Sequence, residues 1–286
     1  MKIAELLKKK MTISFEVFPP KDNIPMDGIL ETLSHLYEFK PDFISCTYGA
    51  GGAGRGRNVE VCDAVIKSGN VVIPHSTCIG SSRGDIKKLV KDYVDMGVGN
   101  ILALRGDFPA GWEGTRAGDF SCADDLIKFI RAEFPQMCVA AAAHPEKHLT
   151  APSPEADIAH LRSKQDKGAE FLITQLCHDI HAFERFLEKI RRAGITIPVV
   201  AGIMPVLTRN SVIRMTLFNG CSIPAELAAI LGKHPDNPES FSRAGIEYTV
   251  AQIHRFIAAG IDGLHLYSLN KWEKLSEILR AAGISN

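Results

Sequence analysis

The feature that most restricts this chain is a repeated pairing of two kinds of segment. Eight short β-type runs recur, at 13–18, 43–46, 71–76, 100–104, 137–143, 171–174, 197–203 and 263–267. Stretches of helical length and amphipathic spacing alternate with them, near 27–39, 57–68, 82–97, 122–133, 154–167, 179–193 and 238–259, with a last one from 270. The runs are mostly unbroken apolar segments, which is how parallel strands read when both faces of the sheet are covered. Successive runs lie about 30 residues apart. A longer insertion before the eighth run predicts an extra helix around 210–231.

Eight such units in 286 residues predict a single-domain (β/α)8 TIM barrel over 1–286, with 1–11 as an N-terminal extension helix or tail. A doubly wound open sheet carries the same local signals, and periodicity alone does not separate the two. Pro154-Glu155 and Asp179 suit helix starts, while Gly194, Gly260 and Gly283 fall where helices should stop.

Composition narrows the function classes. Lys plus Arg and Asp plus Glu both number 33, so no net field points to nucleic acid or to an anionic membrane. The basic run Lys8-Lys9-Lys10 reads as a solvated end. No stretch reaches the roughly 18 consecutive apolar residues of a membrane span, and residues 1–10 do not read as a secretory signal. The seven cysteines are spread without a CxxC pair, and an odd number does not suit a disulfide framework. A cytoplasmic protein with free thiols is expected.

In a TIM barrel the site gathers at the C-terminal ends of the strands. Read in order, those ends offer Glu16, Thr47, His75, Asp107, His144, Gln175, Pro205 and Asn270. Any strand must leave into a polar loop, which accounts for some of these. It accounts less well for Glu16, held within Ser14-Phe15-Glu16-Val17-Phe18. Burial among apolar groups disfavours a charged carboxyl, the setting that suits a general acid; strand alternation could instead turn Glu16 away from the core. The segment Arg105-Gly106-Asp107 combines an anion-binding side chain, a turn residue and a charge, though Gly-Asp is also ordinary turn chemistry.

Two patterns point elsewhere. Residues 49–54 match GxGxxG, yet they follow the second strand, and the next strand ends in Pro74-His75-Ser76 rather than at an acidic residue. Cys177-His178-Asp179 with His181, and His144 with His148, have metal-ligand types. Asp179 is better read as a helix cap, and Pro145 disfavours a helical His144–His148 pair.

Taken together, the motifs resemble the methylenetetrahydrofolate reductase family in its bacterial single-domain form. They are Phe15-Glu16-Val17-Phe18-Pro19-Pro20, Thr47-Tyr48-Gly49-Ala50, Pro74-His75-Ser76-Thr77-Cys78, Leu104-Arg105-Gly106-Asp107, Pro145-Glu146-Lys147-His148 and Ile173-Thr174-Gln175, followed late by Tyr267-Ser268-Leu269-Asn270. The match is dense from 12 to 175 and sparse beyond.

The resemblance implies FAD-dependent reduction of 5,10-methylenetetrahydrofolate to 5-methyltetrahydrofolate, a ping-pong hydride relay from NADH or NADPH. It makes Glu16 the acid that protonates folate N10 and Asp107 the charge beside the resulting cation. Thr47, Gln175 and Lys271 join these two at the folate. FAD contacts are implied for Thr47, Tyr48, Ala50, His75, Arg105, Gly106, Asp107, Cys122, Ala123, His144, His148, Asp157, His160 and Lys164. No metal is expected, and self-association is plausible. A separate protein could supply the electrons, and a folate-binding methyl-transfer barrel without redox chemistry is a further reading. The chain departs from the family at His144 (a Tyr is common), His160, Ser163, Ser211 and Lys271 (Arg in many members).

Overall fold

The computed structural model describes residues 1–48, 55–107, 118–233 and 237–284. Eight parallel strands close into a barrel in chain order: β1 (Thr12–Val17), β2 (Phe43–Cys46), β3 (Val72–Thr77), β4 (Asn100–Leu104), β5 (Cys138–Ala143), β6 (Phe171–Thr174), β7 (Val199–Ile203) and β8 (Gly263–Tyr267). Closure is made by β1 against β8, in a register that sets Ser14 beside His265 and Glu16 beside Tyr267. This pairing excludes the open sheet.

Outside the barrel run α2 (Asp27–Tyr37), α3 (Arg55–Lys67), α4 (Arg83–Asp95), α5 (Ala123–Glu133), α6 (Pro154–Asp166), α7 (Ile180–Arg192), α8 (Arg209–Asn219), α9 (Ala225–Lys233), α10 (Pro238–Ala258) and α11 (Trp272–Ala281), preceded by α1 (Ile3–Leu7). Several starts carry their own caps. Ser82 and Asp85 form a reciprocal capping box, Ser153 caps a helix with proline in its first turn, and Asp179 accepts from the His181 N–H as the cap of α7. The insertion before β8 holds two helices where one was expected. Gly220 ends α8 in the left-handed region, φ 66°, and Pro224 stands just before α9.

The N-terminal segment closes the barrel floor. Ile3, Ala4 and Leu7 of α1 pack with Phe43, Ile73, Leu102, Phe171 and Val200 from inside the barrel. Asn100 clasps the segment by accepting from the Ile3 N–H (2.8 Å) and donating to the Met1 carbonyl (3.0 Å). Apolar side chains therefore dominate the lower layers of the interior. The upper layer is different: Glu16, His75, His265 and Tyr267 all point inward there.

Candidate active site

A cavity of about 240 Å³ opens at the C-terminal end of the barrel, lined by Glu16, His75, His144, Gln175 and Tyr267 among apolar groups that include Leu102, Ile173, Met204, Met215 and Phe218. Alternation along β1 buries Phe15 and Val17 under the helices and turns Ser14 and Glu16 inward. Glu16 is only 7% exposed. Its Oε2 lies 3.5 Å from His75 Nε2 and 3.6 Å from His265 Nε2.

Each imidazole also has a serine partner, His265 through the nitrogen away from Glu16 and His75 through the same Nε2 that faces it. His75 Nε2 is 2.6 Å from Ser45 Oγ on β2, and His265 Nδ1 is 2.8 Å from Ser14 Oγ on β1. Ser14 donates its only proton to the Leu264 carbonyl, so its oxygen accepts from His265 Nδ1–H. That tautomer leaves His265 Nε2 an acceptor, buried and without a hydrogen-bond partner, facing Glu16. Burial pushes the His75 imidazole down to about 4, against the pull of the Glu16 carboxylate. The ring is neutral at pH 7. A further pair of bonds fixes the top of β1, where Asn270 accepts from the Phe18 N–H and donates to the Phe18 carbonyl.

Across the cavity, the exit of β4 and the last turn of α6 bring two cations toward the end of β5. Arg105 and Lys164 are half-buried there with His144 and His148, whose rings meet edge to face at 4.6 Å. Burial lowers the Lys164 ammonium, partly offset by the Asp124 and Asp157 carboxylates, and Arg105 adds to the lowering. His144 is pushed down to about 3 by burial first, then by His148, Lys164 and Arg105. Asp157 accepts from the His148 N–H (2.9 Å), tying the β5 loop to α6, and Lys164 Nζ donates to the Ala142 carbonyl (2.8 Å). Gly106, at φ +84°, makes the β4 exit turn tightly. A Cβ there would lie 2.8 Å from Thr77 Cβ, so only glycine fits this turn.

The other expected residues fall at varied distances from this centre. Thr47 and Tyr48 continue β2 and are half-buried, the Thr47 carbonyl accepting from Asn58 (2.8 Å). Cys122 is the residue before α5, and Ala123 is buried in its first turn. Asp107, His160 and Lys271 are exposed, at the β4 exit, on α6 and at the start of α11. Ala50 and the GxGxxG segment lie outside the described residues. Sequence reasoning missed His265, Ser14 and Ser45. The signal was present for the first: a histidine between Leu264 and Leu266 on a strand is as anomalous as Glu16 between Phe15 and Val17.

This geometry stands in a chain whose residues 2–283 match the family profile described as methylenetetrahydrofolate reductase. The chain belongs to the methylenetetrahydrofolate reductase family. A rice (Oryza sativa subsp. japonica) protein named probable methylenetetrahydrofolate reductase (NADH) is 34% identical over 302 residues, covering 99% of this chain and 51% of the rice protein. The 5,10-methylenetetrahydrofolate reductase of Escherichia coli (strain K12) is 29% identical over 276 residues, which is 96% of this chain and 92% of that one. Against its plant and yeast relatives the chain thus spans about half their length. Among solved structures, a Clostridium thermocellum protein described as binding two copies of 5-methyl-5,6,7,8-tetrahydrofolic acid superposes with a TM-score of 0.65 at 16% identity, covering 98% of this chain and 96% of the other. That likeness speaks to the barrel. Among the described residues of this reductase-family chain, no helix is long and apolar enough to cross a membrane.

Proposed function

We propose that this barrel reduces 5,10-methylenetetrahydrofolate to 5-methyltetrahydrofolate with hydride from NADH or NADPH, using FAD held at the exits of β2 to β5. The observation that carries the reading is a single buried carboxyl, Glu16, opening into a largely apolar cavity in a chain of this family. The name of the rice relative favours NADH as the donor.

The residues present fit a flavin dinucleotide. Arg105 and Lys164 are cations of the kind that bind a pyrophosphate. Gly106 lets the β4 exit turn against Thr77 and Ile79, which sets Arg105 and Asp107 on either side of the turn. His144 and His75 line the cavity wall as neutral rings, able to donate or accept without adding charge. Bound there, FAD supplies the two-electron step between the nicotinamide and the methylene carbon.

The chain's own residues do the rest. Glu16 delivers a proton to N10 of the folate, which opens the imidazolidine ring to a cationic iminium. Its Oε2 lies 3.5 Å from His75 Nε2, close enough for an N–H of that ring to steady the carboxylate once the proton has left; His265, whose Nε2 carries no proton, gives no such help. Asp107 at the β4 exit offers a negative charge toward the iminium. Gln175 lines the cavity and its Oε1 accepts from the Leu176 N–H (2.8 Å), which leaves its Nε2 as the donor it offers the pterin. Thr47 and Lys271 stand at the rim, Lys271 as a point charge for the glutamate tail.

The test is the anaerobic visible spectrum of the purified protein, before and after NADH and then after methylenetetrahydrofolate. The expected result is a yellow protein that bleaches with NADH and regains colour with the folate. Yellow without bleaching shifts the reading to electrons from a separate protein. A colourless protein that stays colourless with added FAD overturns it.

A further inference from the structure

The seam between β6 and β7 opens early. Their ladder stops at Ile173 and Val200, whereas β7 stays paired with β8 as far as Ile203 and Leu266. Beyond that point Thr174 does the ladder's work with different groups. Its hydroxyl accepts from the Gly202 N–H (2.9 Å), and its carbonyl accepts from the Tyr267 hydroxyl (2.8 Å). Tyr267 belongs to β8, so its ring must cross β7 to reach β6.

Gly202 makes the crossing possible. Its backbone lies outside the left-handed region, so conformational freedom does not explain a glycine here. A Cβ would stand 2.2 Å from the Thr174 carbonyl oxygen, 2.6 Å from the Tyr267 hydroxyl and 3.0 Å from its Cε2. Burial, reinforced by the neighbouring Glu16 carboxylate, pushes the phenol well above its ordinary value, so the hydroxyl keeps its proton and remains a donor.

The residue after Thr174 is Gln175. On one side its N–H is fixed to the Ala143 carbonyl of β5 (2.7 Å). On the β7 side, where the ladder has ended, the Gly202 bond holds the Thr174 side chain and the Tyr267 bond holds its carbonyl, the backbone group that leads into Gln175. We infer that Tyr267 is a positioning residue for Gln175: by bridging the open seam over Gly202, it fixes the carboxamide that faces the pterin. The inference rests on the proposed folate site.

A double-mutant cycle tests it. Affinity for 5-methyltetrahydrofolate, and kcat and KM for methylenetetrahydrofolate with NADH, are measured for wild type, Tyr267→Phe, Gln175→Ala and the double variant. Tyr267→Phe keeps the ring and is expected to weaken folate binding about three- to tenfold, with KM rising more than kcat falls. In the Gln175→Ala background the same change is expected to have almost no further effect, because the group it positions is gone. Gly202→Ala, with folding checked by its melting temperature, is expected to weaken binding at least as much as Tyr267→Phe. An equal loss from Tyr267→Phe in both backgrounds overturns the positioning role while leaving the folate reading intact. A wild type that binds no folate overturns both.

Discussion

On the β8–β1–β2–β3 side of the cavity, the buried polar side chains contact one another: Ser14 against His265, Ser45 against His75, and both rings against Glu16. On the β4–β5 side the polar groups are half-buried, with the cations Arg105 and Lys164 beside His144 and His148 near a glycine turn. Each side contains a neutral imidazole, but the neighbours differ in sign. His75 faces a carboxylate that raises it, and His144 faces cations that lower it further. On the proposed reading, the first side serves proton delivery in a dry place and the second serves anion binding at the edge of water.

The largest way to break this contrast is Glu16→Gln. The amide fills the same space without an acid proton, so folate reduction is expected to fall by about 10²–10⁴-fold. Bleaching of the bound flavin by NADH should persist, because that half-reaction needs no proton at N10. Stopped-flow absorbance follows the two steps separately. Folate turnover within a factor of a few of wild type would remove Glu16 from the mechanism.

Lys164→Met strikes the other side. The methionine keeps much of the stem's packing and removes the charge, so FAD affinity is expected to drop about ten- to hundredfold, the worth of a hydrogen bond to a charged group. Titration of the apoprotein with FAD at low and high salt measures it. The loss should shrink with salt, since an anion site open to water is screened. At saturating FAD, the folate step should be close to that of wild type. An unchanged affinity would place the pyrophosphate elsewhere.

The two sides were unequally legible in the sequence. Barrel order and four strands, β2, β4, β6 and β8, are readable to the residue because their apolar runs are bounded by charged or turn-forming neighbours. Glu16 stands out by the same logic, as a charge where burial is expected. The extra segment before β8 reads as one helix because apolar spacing runs across Gly220 and Pro224; the break depends on backbone chemistry at two residues, which periodicity does not register. Of the cationic side, Arg105 is legible as an anion-binding candidate from its segment, while Asp157 and Lys164 read only through resemblance, since they lie on a half-exposed helix where charges are ordinary. The seam bridged by Tyr267 could not be read at all. It depends on which strand pairs stop early, a property of barrel closure rather than of any local segment.

The smallest effect sharpens the comparison through pH. Unfolded chains take up protons on histidine near pH 6.5, whereas His75 and His144 in the folded protein wait until about 4 and about 3. His178, buried with both ring nitrogens unpartnered, is lowered as well. Between those values the unfolded state binds more protons, so the contribution is complete above pH 6.5 and is lost as pH falls. His75 alone accounts for about 2 kcal/mol by pH 5. Urea unfolding from pH 7 to 5 measures the slope, and His178→Phe, which keeps a ring but takes up no proton, should flatten it. Histidine NMR titration then separates the two sides. In Glu16→Gln the carboxylate that favours the protonated form of His75 is gone, so that ring should titrate lower still, while His144, surrounded by Arg105, Lys164 and His148, should not move. A parallel shift of both rings would mean that the two sides share one electrostatic environment.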